Sequence, residues 1–250
     1  MNMPIALRMD DVGASSKHFE VYSKRWRGLG NALFLKYLPY FKAWGPYREL
    51  SAEDWRDIIR MLHEYDAKLT VAVTAAWVER SGECVPYPQK WPDAYQALKA
   101  GVESGCIRIA CHGLTHCVLE GKAFLPKSFS SNRKFHREFW PWLPVRLHHD
   151  NLAKAKTILE AAFEREVDIF VPPGNVFSND TLSAAVELGF RVLNCQTERR
   201  DSIEGLRVIG NDHVVPFHDR EIVLFGKEWL KDTLIRNAGL THVFVDELHA

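Results

Sequence analysis

Two short segments about a hundred residues apart carry the side chains best suited to chemistry. Residues 6–15 read ALRMDDVGAS and contain the carboxylates Asp10 and Asp11, while residues 107–117 read IRIACHGLTHC and contain His112 and His116. One carboxylate and two neutral imidazoles make a three-ligand site of the catalytic zinc type, which keeps a position open for water. The second carboxylate is then left over for the substrate or the water.

Each segment begins with a mainly apolar run that predicts a short strand. The acids follow the run at 4–7 and the histidines follow the run at 107–111, so each strand delivers polar groups into a loop at its carboxyl end. Adjacent residues there point in different directions, so one aspartate can bind a metal while the other faces substrate. The three-residue spacing of His112 and His116 brings both imidazoles to one side of a helical turn or a tight loop. We therefore predict a site for one divalent ion, zinc by ligand type.

A structural zinc site is the alternative metal-binding interpretation. It would use Cys106, Cys111, His112, His116 and Cys117. Structural zinc sites usually show paired CxxC spacing, which this segment lacks. Alone, an Asp pair is most often a solvated turn, so it is the combination of both motifs after apolar strands that favours the catalytic interpretation.

With these motifs the chain resembles the polysaccharide deacetylases of carbohydrate esterase family 4, through most of its 250 residues. LRMDD matches the first motif of that family and HGLTH the second. The resemblance implies an α/β fold, a distorted (β/α) barrel of about seven strands. It also implies that Asp10 is the general base and that Asp11, His112 and His116 bind the metal.

The base-holding arginine of that family has no counterpart in its usual place. The third motif corresponds to FVPPGN at residues 170–175, where Val171 replaces the arginine that holds the catalytic aspartate. If Asp10 is the base, another residue must orient it, and Arg8 and Arg146 are the candidates. Backbone N–H groups in the loop formed by Pro173, Gly174 and Asn175 are expected to help bind the oxyanion.

The general acid also departs from the family pattern. The last motif of the family ends a strand with a histidine, and aligning IVLFG to it places Gly226 there. His218, in VVPFHDRE just upstream, is therefore predicted to be the acid, with His213 as the second choice. The fourth motif, an acidic residue before Trp, corresponds to Asp201-Ser202 at best.

Composition is consistent with one enzyme domain. A chain of 250 residues with 46% hydrophobic content suffices for a single barrel, predicted to span 1–250 with insertions at about 17–48 and 118–149. The 32 basic and 32 acidic residues cancel, which argues against a nucleic-acid partner. Five cysteines without framework spacing, no apolar leader and no membrane-spanning run predict a cytoplasmic protein.

Strand and helix patterns alternate along the chain, which predicts a parallel sheet with its chemistry at the carboxyl ends of the strands. Further strands are predicted at 69–73, 168–171, 191–195, 214–217, 222–225 and 242–245, and helices at 51–63, 91–104, from 150 or 151 to 164, and at 178–189. Ser51 is predicted to cap the first of these helices, with Asp54 completing a capping box.

Both insertions interleave aromatic and basic residues and follow a ligand-bearing strand. We expect them to overhang the active face, where Trp140 and Trp142 would stack on sugar rings and Arg146 would bind an acidic group. The alternative is that these aromatic rings form a local core that holds each loop down.

The sequence therefore favours a metal-dependent deacetylase that hydrolyses the N-acetyl, or a related acyl, amide of an amino sugar in glycan or cell-surface polysaccharide biosynthesis. Its expected partner is a small-molecule or oligosaccharide substrate with an acetamido group, nucleotide-linked or lipid-linked if the protein is cytoplasmic. The alternatives are a catalytically impaired carbohydrate-binding relative and a metal-dependent hydrolase of a non-sugar amide.

Overall fold

The computed structural model of the chain describes residues 4–19, 47–126, 132–196 and 203–248. Eight strands form one parallel sheet in the order β10-β1-β2-β5-β6-β7-β8, and β9 also pairs with β1. Two further strands, β3 and β4, form an antiparallel pair. The strands are β1 (Pro4–Val12), β2 (Leu69–Val73), β3 (Ala76–Val78), β4 (Cys84–Pro86), β5 (Ile107–Cys111), β6 (Ile169–Phe170), β7 (Val192–Asn194), β8 (Arg207–Ile209), β9 (Val214–His218) and β10 (Thr241–Val243).

Helices cover the sheet and connect its strands. They are α1 (Ser16–Phe19), α2 (Ala52–Glu64), α3 (Tyr87–Lys90), α4 (Pro92–Glu103), α5 (Val145–Phe163), α6 (Asn179–Glu187), α7 (Asp219–Phe225) and α8 (Glu228–Arg236). Ser51 caps α2, and its hydroxyl and the Asp54 carboxylate form the predicted capping box. In the described ranges, no helix is long and apolar enough to cross a membrane.

Alternation along the strands separates two apolar layers. Leu7 and Met9 of β1 belong to the large core that includes the helices, whereas Ala6 belongs to a smaller cluster of mostly short side chains. Because successive residues of a strand face opposite sides, Arg8 and Asp10 lie on the face of Ala6. This face is the inside of the curled sheet, and small residues leave room there for a charged pair.

The curl brings distant strands face to face. The guanidinium of Arg8 in β1 donates to the side chain of Asn194 in β7, although β2, β5 and β6 lie between these strands in the sheet. A flat sheet could not make this contact, so the sheet bends into a half barrel. The predicted distorted barrel of about seven strands is confirmed, with seven strands on the main path and β9 as a branch.

Several predicted elements differ from the structure. Residues 222–225 belong to α7 and not to a strand, because Glu221 accepts from the backbone N–H of His218 and so starts a helix, and because Phe225 is exposed instead of buried in a sheet. Helix α5 begins directly after Pro144, well before the predicted start at 150 or 151. Strand β8 and the β3-β4 pair were not predicted from the sequence.

Candidate active site

The two aspartates lie in an irregularity of β1. Met9 pairs with Val71 and Val12 with Val73, so β1 accommodates one extra residue between these pairs. Asp11 has a left-handed backbone, with φ of 70°. A bulge redirects side chains that would otherwise alternate, and both Asp10 and Asp11 line the same cavity.

The Asp11 carboxylate faces both imidazoles. Its Oδ1 lies 3.3 Å from Nε2 of His112 and 3.3 Å from Nε2 of His116. The carbonyl oxygen of Val171 lies 2.7 Å from Nδ1 of His112 and accepts a hydrogen bond from its N–H, so Nε2 of the neutral ring turns a lone pair toward the carboxylate. Such a convergence of acceptors needs a cation between them, and the donor set fits a divalent metal ion.

The protonation states suit metal binding as well. Burial lowers the pKa of His116, even though its hydrogen bond to Asp11 raises it, which favours the neutral imidazole. Burial alone would raise the pKa of Asp11, but the charge of His218 and the contacts with both histidines hold it well below its usual value. Within the described part of the chain, Asp11, His112 and His116 are the one such cluster, so the cysteine-containing alternative is not assembled.

Arg8 holds the other aspartate. Its Nε donates to Oδ1 of Asp10 and its Nη2 to Oδ2, both at 2.8 Å, which makes a bidentate pair. Arg8 is only 2% exposed, and it also donates to Asn194. Of the two arginines considered from the sequence, Arg8 therefore contacts Asp10, whereas Arg146 is exposed and pairs with Asp150.

His218 ends β9 directly beside Asp10. The two residues are Cα partners on adjacent parallel strands. Nδ1 of His218 lies 3.0 Å from Nη2 of Arg220 and 3.6 Å from a carboxylate oxygen of Glu221. A neutral ring accepting from Arg220 carries its proton on Nε2, and a charged ring carries one there too. In either state Nε2 bears the proton.

The environment favours the charged form of His218. Burial would lower the pKa of His218, but the charge of Asp11 and the contact with the Glu221 carboxylate raise it overall. The other positions considered for the acid do not lie here: His213 precedes β9 at its amino end, and Gly226 ends helix α7.

A cavity of about 250 Å³ contains these groups. Besides the predicted metal, base and acid residues, its lining includes side chains that the sequence did not single out: Ser16, Lys17, Tyr47, Arg133, Arg137, Pro172 and Arg220. Arg220 could have been found from its place two residues after His218. Pro172 lies within the third motif, and the others come from segments without a recognisable motif.

Lys17 forms a buried ionic network behind His218. Its ammonium donates to Glu49 at 2.7 Å and to Asp219, whose other carboxylate oxygen accepts from Tyr47 at 2.8 Å. Burial raises the pKa of Asp219, although the charge of Lys17 opposes the shift. The network joins residues 17, 47–49 and 219, which lie far apart in the sequence.

The predicted oxyanion loop lines the cavity in part. Gly174 and Asn175 face it, whereas Pro173 is buried and does not. Proline has no N–H, and the N–H of Asn175 donates to the carbonyl of Pro172 at 3.0 Å. The N–H groups of this loop are those of Gly174 and Asn175, and with Asn175 bound to Pro172 the remaining donor for an oxyanion is Gly174.

The predicted aromatic platform lies outside the cavity. Trp140 donates its indole N–H to the carbonyl of Lys134, and Trp142 is 51% exposed, with its ring edge against Phe135. Neither tryptophan nor Arg146 belongs to the cavity lining. Residues 20–46 of the first insertion and Asp201-Ser202 lie outside the described residues.

Comparison with known proteins gives one family. The family model described as polysaccharide deacetylase matches residues 45–193, more than half of the chain. No curated protein matches the sequence.

Solved structures of carbohydrate esterase family 4 share the fold. A mutant of a family 4 pseudoenzyme with restored enzymatic activity has 14% identity and a TM-score of 0.54 over 99% of this chain and 67% of that one. The wild-type pseudoenzyme, from Bacillus anthracis, has 16% identity and a TM-score of 0.50. The alignment with it covers 80% of this chain and 61% of the pseudoenzyme chain. An acetyl xylan esterase from Clostridium thermocellum in complex with a cobalt ion has 11% identity and a TM-score of 0.50 over 98% and 89%.

Proposed function

Because the chain belongs to the polysaccharide deacetylase family, we propose that it is a metal-dependent deacetylase that hydrolyses the N-acetyl, or a related acyl, amide of an amino sugar. Membership of the family by itself indicates a hydrolase of acyl amide or ester bonds. The observation that carries the finer proposal is the pairing of Asp10 with His218 across adjacent strands, in the cavity that also holds the Asp-His-His cluster.

Asp11, His112 and His116 would hold the metal. A divalent ion there would polarise the acyl carbonyl and acidify a water molecule. Zinc fits the mixed nitrogen and oxygen donors, and the cobalt-bound esterase of similar fold supports a divalent ion at such a site.

Asp10 is the proposed general base. Each of its carboxylate oxygens accepts one N–H from Arg8 and keeps a second lone pair, so the pair fixes the carboxylate while leaving it able to take a proton from water. Arg8 thereby supplies from β1 the support that the third-motif arginine gives in the family pattern. Val171 contributes its carbonyl, which orients His112.

His218 is the proposed general acid. Its Nε2 carries a proton, and the leaving amine of an amide must be protonated before it departs. The raised pKa of His218 favours the charged ring, which gives up its Nε2 proton to an amine more readily than a neutral ring would. The amide of Gly174 would stabilise the developing oxyanion.

Acetate release tests the proposal. Purified protein is incubated with N-acetylglucosamine oligosaccharides, N-acetylated nucleotide sugars and an acetyl-lysine peptide, each with and without a chelator. We expect acetate from a sugar substrate only, lost with chelator and restored by zinc. Release from the peptide alone would instead identify a hydrolase of non-sugar amides. Comparing oligomeric with nucleotide-linked sugars tests the proposed role in glycan biosynthesis.

A catalytically impaired carbohydrate-binding relative is the second candidate. Val171 at the arginine position of the family favours it, as does the shared fold with a family 4 pseudoenzyme. This candidate requires sugar binding with no acetate release from metal-loaded protein. Detectable release that Asp10→Asn abolishes would exclude it.

A further inference from the structure

Glu138 closes the loop that carries both histidines. Its Oε2 accepts the backbone N–H groups of Leu114, Thr115 and His116 at 2.9, 3.2 and 3.1 Å. The residue is 2% exposed, so these bonds form away from water. Successive amides that converge on one anion form a concave backbone nest, and the carboxylate fills it.

The loop needs an external partner because its backbone is strained. Gly113 and His116 both have positive φ, 78° and 62°, and the second is a conformation that a residue with a side chain adopts at a cost. One of the three hydrogen bonds goes to the N–H of His116 itself. The carboxylate therefore acts directly on the strained residue.

The absence of a side chain at Gly113 allows the Glu138 carboxylate to approach the loop. A Cβ atom at Gly113 would collide with Oε2 of Glu138, and would also meet Phe139 and Pro173 at 3.2 Å. Glycine therefore serves two needs there, the left-handed backbone and the close approach of the carboxylate.

Glu138 is itself firmly placed. Phe139 is fully buried, and its ring meets that of Phe170 edge to face at 5.5 Å. Phe170 precedes Val171, whose carbonyl oxygen orients His112. Three residues before Glu138, the carbonyl of Phe135 accepts a hydrogen bond from the N–H of Val118 at 2.8 Å. The segment around Glu138 thus joins the end of the histidine loop to β6.

Burial and hydrogen bonding act on this carboxyl in opposite directions. Burial disfavours the ionised form of Glu138, while the backbone N–H groups of Thr115, His116 and Leu114 stabilise it. A buried carboxylate without these amides would be costly, so the carboxylate and the loop conformation depend on each other.

We propose that Glu138 is a positioning residue of the metal centre: it holds the loop in the conformation that aims His116 at Asp11, and so sets metal affinity without touching metal or substrate. The inference rests on the proposed metal-binding function of the Asp-His-His cluster. It gives the second insertion a role that differs from substrate stacking.

The test compares Glu138→Gln and Glu138→Ala with the wild type. Glutamine keeps the shape and one acceptor oxygen but loses the charge, and alanine removes all three hydrogen bonds. We expect zinc affinity, measured by competition with a chromophoric chelator, to fall about 10-fold for glutamine and about 100-fold for alanine, the range for residues that orient metal ligands. Glu120→Gln, an exposed acid of the same insertion, is the matched control.

Cobalt(II) provides the readout that a merely structural role would not move. The visible absorption of cobalt-loaded Glu138→Gln should shift or lose intensity because His116 is displaced, while circular dichroism stays unchanged. Turnover of Glu138→Gln should recover in excess zinc, whereas that of Asp10→Asn should not.

Wild-type affinity and spectrum in both Glu138 variants would overturn the inference, as would a lower melting temperature with unchanged metal affinity. If Glu138→Ala does not fold, Glu138→Gln decides. Failure of the wild type to bind zinc or cobalt is a different result, because it would refute the metal site itself.

Discussion

The metal side and the acid side of the cavity are held by different kinds of contact. On the metal side, backbone groups do the holding: the Val171 carbonyl oxygen orients His112, and the amide of His116 binds Glu138. On the acid side, charged side chains do it. His218 contacts Arg220 and Glu221.

This difference predicts how each side responds to change. A loop fixed through its backbone presents its ligands in one conformation, so damage there should appear as lost metal. A site surrounded by titratable groups changes with their protonation, so damage there should appear as altered pH dependence.

His116→Ala should have the largest effect. Wild-type protein is expected to contain close to one divalent ion per chain, and removal of one of three ligands should abolish stoichiometric binding. Metal analysis by mass spectrometry measures it. His213→Ala, an exposed histidine at the amino end of β9, should keep the metal. Full occupancy in a His112→Ala/His116→Ala variant would refute the site.

Asp10→Asn should separate the two aspartates. We expect a loss of roughly 100-fold or more in turnover with the metal retained, because a general base contributes about that much. Asp11→Asn should lower metal affinity instead. Turnover and metal content are measured on both variants. Metal loss in Asp10→Asn but not in Asp11→Asn would reverse the assigned roles.

Glu221→Gln should shift the pH profile without changing metal content. Activity requires protonated His218 and therefore falls as pH rises through the pKa of His218. Glu221 raises that pKa, so its neutral replacement should move the alkaline limb to lower pH, by up to about one unit. Glutamine still caps helix α7, and Glu228→Gln on the exposed face of α8 is the control. An unmoved limb would remove His218 from the role of acid.

Asp219→Asn should change how stability depends on pH. Burial, opposed by the charge of Lys17 and reinforced by that of Glu49, raises the pKa of Asp219 to about 7, whereas an unfolded aspartate titrates near 3.9. Between these values the folded state holds a proton that the unfolded state lacks, so the stability contributed by this group falls as pH rises from about 4 to 7.

The melting temperatures of the wild type and of Asp219→Asn are measured across this range. The difference, wild type minus variant, should decrease as pH rises. Asp57→Asn is the control, and its difference should stay flat across this range. A hydrogen bond from Lys227 lowers the pKa of Asp57, so its contribution is lost only as pH falls below about 4. A flat difference for Asp219 would show that it is ionised throughout.

Trp142→Ala should have the smallest effect. Its side chain is half exposed and lies outside the cavity, so the expected change in the free energy of unfolding is below about 0.5 kcal/mol. Comparing KM for a short and a long N-acetylated oligosaccharide tests the predicted stacking role. A higher KM for the long substrate alone would place Trp142 at a distal part of the sugar-binding surface. A large loss in the free energy of unfolding would instead make Trp142 part of the core that holds the loop.

Features formed by residues close together in the sequence could be predicted from the sequence alone. The Asp pair after an apolar run, the two histidines four positions apart, and the capping box of Ser51 and Asp54 each depend on neighbours within a few residues. Such contacts leave a pattern of residue type and spacing that can be read directly. The alternation of strands and helices likewise predicted the parallel sheet, because the period of the apolar residues follows from the geometry of each element.

Contacts between residues far apart in the sequence are set by the tertiary structure. Arg8 was one of two candidates, and the curl of the sheet brings it together with Asp10 and Asn194. Lys17 binds Asp219, which is 202 positions later in the sequence, and no periodic pattern of residues predicts such a pair. The bulge at the aspartates and the approach of Glu138 to the histidine loop depend on how strands and loops pack. Local sequence preference determines where a side chain lies along its helix or strand. The residue that it contacts depends on how the helices and strands pack together. For that reason the metal ligands could be predicted from the sequence, whereas the residues that orient them could not.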